Sequence, residues 1–129
     1  VRFYSMWCHG AGGIGLSRLR VAENLPADPL FEQECAIAWK ALEATRFPQW
    51  CLCHGVAGNA DIMLTAGRRE WSLNQAQLGI EQFEATGVPW PCDSTPAAET
   101  PGFMTGVAGI GYFYLRMAQP ETPSVLLWR

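Results

Sequence analysis

Two short phrases hold the residues of this chain best suited to chemistry: Cys8-His9 and Cys53-His54. They contain both histidines and two of the five cysteines, the others being Cys35, Cys51 and Cys92. Thiolate sulfur and imidazole nitrogen are zinc ligands, and two thiolates with one imidazole leave a fourth tetrahedral position open, the arrangement of catalytic rather than structural sites. A substrate thiol taken into that position loses its proton at neutral pH, and anionic sulfur ligands keep it electron-rich. The chemistry favoured is thiol alkylation or conjugate addition. Cys8 and Cys53 lie 45 residues apart, far more than in a zinc finger, so spacing alone leaves metal binding and plain packing both open. A Cys-His thiol protease is the other option at this level, but no third orienting group stands at a convincing place. Cys35 and Cys51 read as core or surface thiols, and Cys92 as a loop residue with no ligand role.

A repeat is what must bring Cys8 to Cys53 and His54. Three glycine-rich phrases recur: Cys8-His9-Gly10-Ala11-Gly12-Gly13, Cys53-His54-Gly55-Val56-Ala57-Gly58 and Met104-Thr105-Gly106-Val107-Ala108-Gly109. Each contains Gly-x-x-Gly, at spacings of 45 and 51 residues, which marks a repeat architecture whose units cannot bury their apolar faces alone. Cys8 and Cys53 share one register of successive repeats. On a helix, Cys53 and His54 would diverge by about 100°; on a turn just before a helix they can face one point, and Gly55 and Gly58 supply that turn. The glycines read as turn and close-packing positions, since a dinucleotide site would need a preceding strand.

Each phrase leads into a helical stretch, marked by Ile14, Leu16, Leu19 and Val21, then by Ile62, Met63 and Leu64, then by Ile110, Tyr112, Tyr114, Leu115 and Met117. Between the phrases, Asp28 and Pro29 cap and open a helix carrying Phe31, Cys35, Ala38, Trp39 and Leu42 at helical period, to about Phe47. Residues from Trp71 to about Ala85 read the same way, ending near Gly87. Proline-rich residues from Pro89 to Pro101 form a loop. The six tryptophans are packing residues. No alternating strand pattern is present, so the fold class is all-α, built from helix pairs.

The remaining composition excludes several roles. A net charge of −3 without Lys/Arg clusters gives no footprint for nucleic acid or a membrane surface. No apolar run reaches the ~18 to 20 residues of a membrane-spanning segment, and no signal peptide is visible. An odd cysteine count at irregular positions is a poor disulfide framework, so the cytoplasm is the expected compartment. Because the chain opens on Val1, it is expected to continue the N-terminal side of a longer protein.

Taken in order, three motifs resemble the lanthionine synthetase C-like family: Trp7-Cys8-His9-Gly10 with Ile14-Gly15-Leu16, then Cys53-His54-Gly55-Val56-Ala57-Gly58-Asn59, then Pro101-Gly102-Phe103-Met104-Thr105-Gly106-Val107-Ala108-Gly109-Ile110-Gly111-Tyr112. The resemblance spans nearly the whole chain. It is closest to the C-terminal cyclase region of the bifunctional class II (LanM-type) enzymes, which have His where His9 stands; stand-alone cyclases usually have Tyr there. The ending Pro123-Ser124-Val125-Leu126-Leu127 is similar to a LanM C-terminus. The resemblance implies an α/α toroid whose inner helices surround one zinc, held by Cys8, Cys53 and His54. It implies that a precursor-peptide Cys thiol adds to dehydroalanine or dehydrobutyrine to close a thioether ring. Residues 1–129 would then be part of the cyclase domain, with the missing N-terminal repeats of the same domain as packing partners.

Two departures accompany the match. Gly12 stands where the family commonly has Pro, which loosens a turn without removing a ligand. The family's proposed acid, a His in an earlier repeat, lies N-terminal to this chain, so His9 is the candidate catalytic residue within it. Two other readings compete. One is a LanC-like zinc protein that binds or conjugates a small thiol such as glutathione; the other is a structural zinc module with His9 as fourth ligand.

Overall fold

The computed structural model describes residues 4–92 and 99–127; part of the loop expected from Pro89 to Pro101, and Trp128, lie outside them. Five α-helices are present among the described residues: α1 (Ala11–Ala22), α2 (Pro29–Ala44), α3 (Val56–Thr65), α4 (Arg69–Gly79) and α5 (Val107–Ala118). No strand occurs among these residues, only an isolated bridge between Ser5 and Gly10. The all-α expectation holds.

Local sequence explains both ends of α2. Asp28 accepts a hydrogen bond from the Leu30 N–H at 2.9 Å and Pro29 occupies the first turn, as expected of a capped start. α2 stops at Ala44 rather than near Phe47. Continued as a helix, the chain would drive the Pro48 ring into the Ala44 carbonyl. α4 begins at Arg69, two residues before Trp71, and its end widens into a π-helical turn, Ile80–Glu84, with the Ala85 N–H on the Ile80 carbonyl at 2.8 Å. That turn carries Phe83 against Trp50 and Trp90, with ring centroids 5.6 and 4.9 Å apart. Tyr114 joins the cluster and donates its hydroxyl to the Ala76 carbonyl at 2.7 Å. Burial, with Glu84 adding to it, pushes that phenol up to about 12, so it remains a donor.

α1 packs on α2 and α3 on α4; α3 then meets α5, while α1 touches α3 only lightly. Leu16, Trp39, Leu42, Leu52, Ile62, Met63 and Phe113 form the shared core. Gly15 lets α2 approach closely, because a Cβ there would stand 2.7 Å from both the Ala38 Cβ and the Trp39 ring.

The three glycine phrases build the same turn three times. The first N–H of each following helix reaches back to a carbonyl seven residues earlier: Ala11 to Tyr4 (3.0 Å), Val56 to Gln49 (3.0 Å) and Val107 to Thr100 (2.8 Å). The last glycine of each phrase sits directly on a carbonyl of its own turn, Gly13 on Trp7, Gly58 on Leu52 and Gly109 on Phe103, where any Cβ would overlap the oxygen. The first glycines differ. Gly10 has φ +114°, a conformation side chains resist, whereas Gly55 and Gly106 are extended, with φ −120° and −134°. At Gly55 the constraint is closeness alone, with a Cβ falling 2.5 Å from the Cys51 nitrogen.

One buried polar knot interrupts the core. Arg116 on α5 is 5% exposed and pairs with the fully buried Asp61 of α3. Arg116 also donates to the Thr65 hydroxyl (3.3 Å) and the Thr122 carbonyl (2.9 Å), and the Ser124 hydroxyl donates to Asp61 Oδ2 at 2.5 Å. Burial pushes the Asp61 carboxyl up, while Arg116 and Ser124 pull against that shift.

Two stability measurements follow from this packing. Gly58→Ala should cost about 3 kcal/mol or more, because the new methyl displaces main chain rather than a flexible side chain; urea unfolding reads it, and a wild-type midpoint would show the turn can relax. Asp61→Ala should cost about 3–5 kcal/mol by leaving Arg116 buried without its partner, whereas Asp61→Leu combined with Arg116→Met should lose much less. Equal losses in the single and double variants would mean the ion pair itself stabilises the fold.

Candidate metal centre

Cys8 lies on the turn before α1, and Cys53 and His54 lie on the turn before α3. The two turns are joined through main chain: the Cys8 N–H donates to the Cys53 carbonyl at 3.3 Å. The third turn continues the series, the Cys53 N–H donating to the Met104 carbonyl at 2.8 Å. Positions in the same repeat register are therefore adjacent in space, as the sequence pattern requires.

One ligand atom from each of Cys8, Cys53 and His54 lies within 4.8 Å of the other two. Zinc bonds of about 2.0–2.3 Å in tetrahedral directions separate neighbouring donors by roughly 3.3–3.8 Å, so small side-chain adjustments would bring all three onto one ion. Cys8 is exposed, and Cys53 and His54 are half-buried, which leaves the group open on one side. Two soft sulfurs and a ring nitrogen form a donor set suited to zinc.

His9 does not join this group. It is exposed and meets Tyr4 edge to face, ring centroids 5.0 Å apart. Together with Cys8, Tyr4, Ile14 and Ile37 it lines a mainly apolar cavity of about 610 Å³. Of the ligand group, Cys8 is the member that lines this cavity.

The other cysteines are placed as packing residues. Cys51 and Cys92 are fully buried, Cys92 beside Trp50 and Ile110. Cys35 faces the Gly15 carbonyl at 3.7 Å. Burial, then Glu34, push its thiol up against the opposing pull of Arg18, so it stays protonated and unreactive. Met104, which heads the third glycine phrase and was given no role of its own from sequence, is a half-buried thioether at that repeat's equivalent of Cys8 and Cys53. The register that paired the two cysteines also points to it.

The family model described as lanthionine synthetase C-like protein matches residues 2–127. The chain belongs to the lanthionine synthetase C-like family. Among curated proteins it is similar to the lacticin 481/lactococcin biosynthesis protein LcnDR2 of Lactococcus lactis subsp. lactis, 26% identical over 136 aligned positions. The match covers 92% of this chain and 15% of that protein, so the chain spans about 15% of its curated relative. No solved structure matches. The paired helices of this lanthionine synthetase C-like chain fit a segment of an α/α toroid, and no helix among the described residues is long and apolar enough to cross a membrane.

The burial of Cys92 separates packing from ligation within the same chain. Cys92→Ser should lower stability by about 1–3 kcal/mol by placing a hydroxyl among apolar side chains, while Cys35→Ser should change little. A thermal melt of each variant checks both; an unchanged Cys92→Ser melt would remove that residue from the core.

Proposed function

We propose that this chain is part of a zinc-dependent lanthionine cyclase acting on a precursor peptide, with Cys8, Cys53 and His54 as the protein's zinc ligands. The observation that carries this reading is the convergence of those three side chains from two register-equivalent turns. His9 stands outside the group, which supports three protein ligands and an open fourth position over a closed structural site. Residues 1–129 form one part of the cyclase domain, and its other repeats complete the wall around the cavity. The biosynthetic role in the name of the Lactococcus relative supports a lanthipeptide precursor as the substrate.

Zinc held by Cys8, Cys53 and His54 would supply the Lewis acidity that keeps a cysteine thiol deprotonated at neutral pH. The chain's own residues do the rest. The two cysteine ligands contribute negative charge that keeps the site electron-rich. The apolar walls at Ile14 and Ile37 receive the peptide beside Cys8. In the addition, the peptide sulfur forms a C–S bond to the β-carbon of dehydroalanine or dehydrobutyrine. The double-bond pair moves to the α-carbon side, and the α-carbon takes up a proton in place of the one the thiol has lost. No oxidant or reductant is consumed. His9, which lines the same cavity and meets Tyr4 edge to face, assists the delivery of that proton alongside the acid expected in an earlier repeat.

Metal content and ring formation test the two parts separately. Native mass spectrometry of the full enzyme should find one zinc per chain, absent in Cys53→Ala and retained in His9→Ala. His9→Ala should slow cyclisation by about 10²- to 10⁴-fold, the usual range for a lost general acid. Zinc retained by Cys53→Ala would overturn the ligand set, and wild-type cyclisation in His9→Ala would remove His9 from the chemistry.

A further inference from the structure

Trp7 immediately precedes Cys8, and its indole N–H donates to the Leu126 carbonyl at 3.2 Å, across 119 positions of chain. Leu126 is buried in the C-terminal segment 122–127, which is anchored at several points. Its own N–H donates to the Ser124 hydroxyl oxygen at 3.2 Å, the Ser124 hydroxyl donates to Asp61, and the Thr122 carbonyl accepts from Arg116. Tyr112 adds a further anchor, its hydroxyl donating to the Pro123 carbonyl and accepting from the Val125 N–H at 3.2 Å.

Asp61 belongs to α3, the helix whose leading turn carries Cys53 and His54. The contacts thus form a closed path, from the Cys53-His54 turn through α3, Asp61, Ser124, Leu126 and Trp7 to Cys8. The path adds polar ties to the apolar core that the first and second repeats share. α1 touches α3 only lightly, and at the site the Cys8 N–H donates to the Cys53 carbonyl at 3.3 Å. A fixed point on the residue beside an exposed cysteine limits how far its sulfur can swing from the other ligands.

We propose that segment 122–127, latched onto Asp61 and Arg116, sets Cys8 against Cys53 and His54 through the Trp7 indole, which makes Trp7, Ser124 and Asp61 positioning residues for the metal centre. This rests on the metal reading above. Supporting groups of this kind change metal affinity without touching the ion, because they hold a ligand in the geometry binding requires.

Zinc affinity of the full-length protein, measured by competition with a chromophoric chelator, tests the proposal alongside the absorption of its cobalt(II) form. Trp7→Phe keeps the aromatic ring and removes the N–H; Ser124→Ala removes the hydroxyl that orders the segment. Each should weaken zinc binding by about tenfold or more. Each should also weaken the thiolate-to-cobalt band as Cys8 drops out; Trp7→Phe should do so with little change in the metal-free melt, whereas Ser124→Ala also lowers that melt by taking a hydrogen bond from the buried Asp61. Zinc bound as tightly as in the parent, with an unchanged cobalt spectrum, overturns the proposal, and so does a lowered melt without any change in affinity. A parent protein that binds no zinc overturns the metal reading itself, an outcome distinct from equal binding by parent and variants.

Discussion

The Cys8 N–H donates to the Cys53 carbonyl, and the Cys53 N–H donates to the Met104 carbonyl. These two main-chain hydrogen bonds tie three turns, drawn from widely separated parts of the chain, into one row. Each contributes only about 0.5–1.5 kcal/mol net, so they do not hold the repeats together by strength. Burial within and between the helix pairs does that, through Leu16, Trp39, Leu42, Ile62 and Phe113. What the row supplies is alignment. Once the turns are stacked in register, side chains at equivalent positions stand beside one another, and Cys8 meets Cys53 and His54. The glycines are bound to the same requirement, because a Cβ at Gly13, Gly58 or Gly109 would push each turn off the carbonyl on which it rests.

The Asp61–Arg116 pair works differently. Burying two opposite charges is costly, and an apolar pair of similar volume often serves stability as well. Its effect here is selective. Asp61 and Arg116 between them accept or donate four hydrogen bonds to Thr65, Thr122, Ser124 and each other. A C-terminal segment shifted by one residue would leave part of that set unmatched in the core, so its register on α3 and α5 is specified sharply. Apolar packing alone tolerates such slips more readily.

Features written locally were legible in the sequence. The recurrence of Gly-x-x-Gly gave the helix pairs and the shared register of Cys8 and Cys53, and Asp28-Pro29 marked the start of α2. The same register contained Met104, although chemistry-led reading passes over a thioether. Other features depend on distant partners. The π-helical turn at Ile80–Glu84 answers to Trp50 and Trp90, which no window around residue 80 contains. The bond from Trp7 to Leu126 joins residues at opposite ends of the chain, and neither the motif at Cys8 nor the pattern at Pro123 announces it. The unlike backbone angles of Gly10 and Gly55 were hidden as well, since one residue type answers both to a left-handed angle and to simple crowding.

Because the row of turns uses only peptide groups, its hydrogen bonds do not depend on which side chains it displays. Cysteine stands at two of its stations and methionine at the third, over the same helix-opening geometry. Architecture and reactivity are thus inherited separately: a station can be rewritten by one substitution while its neighbours and the helices beneath are left alone. A row of such stations resembles a rack with interchangeable tools, in which a donor can stand at one place and a filler at the next. That independence gives a scaffold of this kind room to evolve new chemistries.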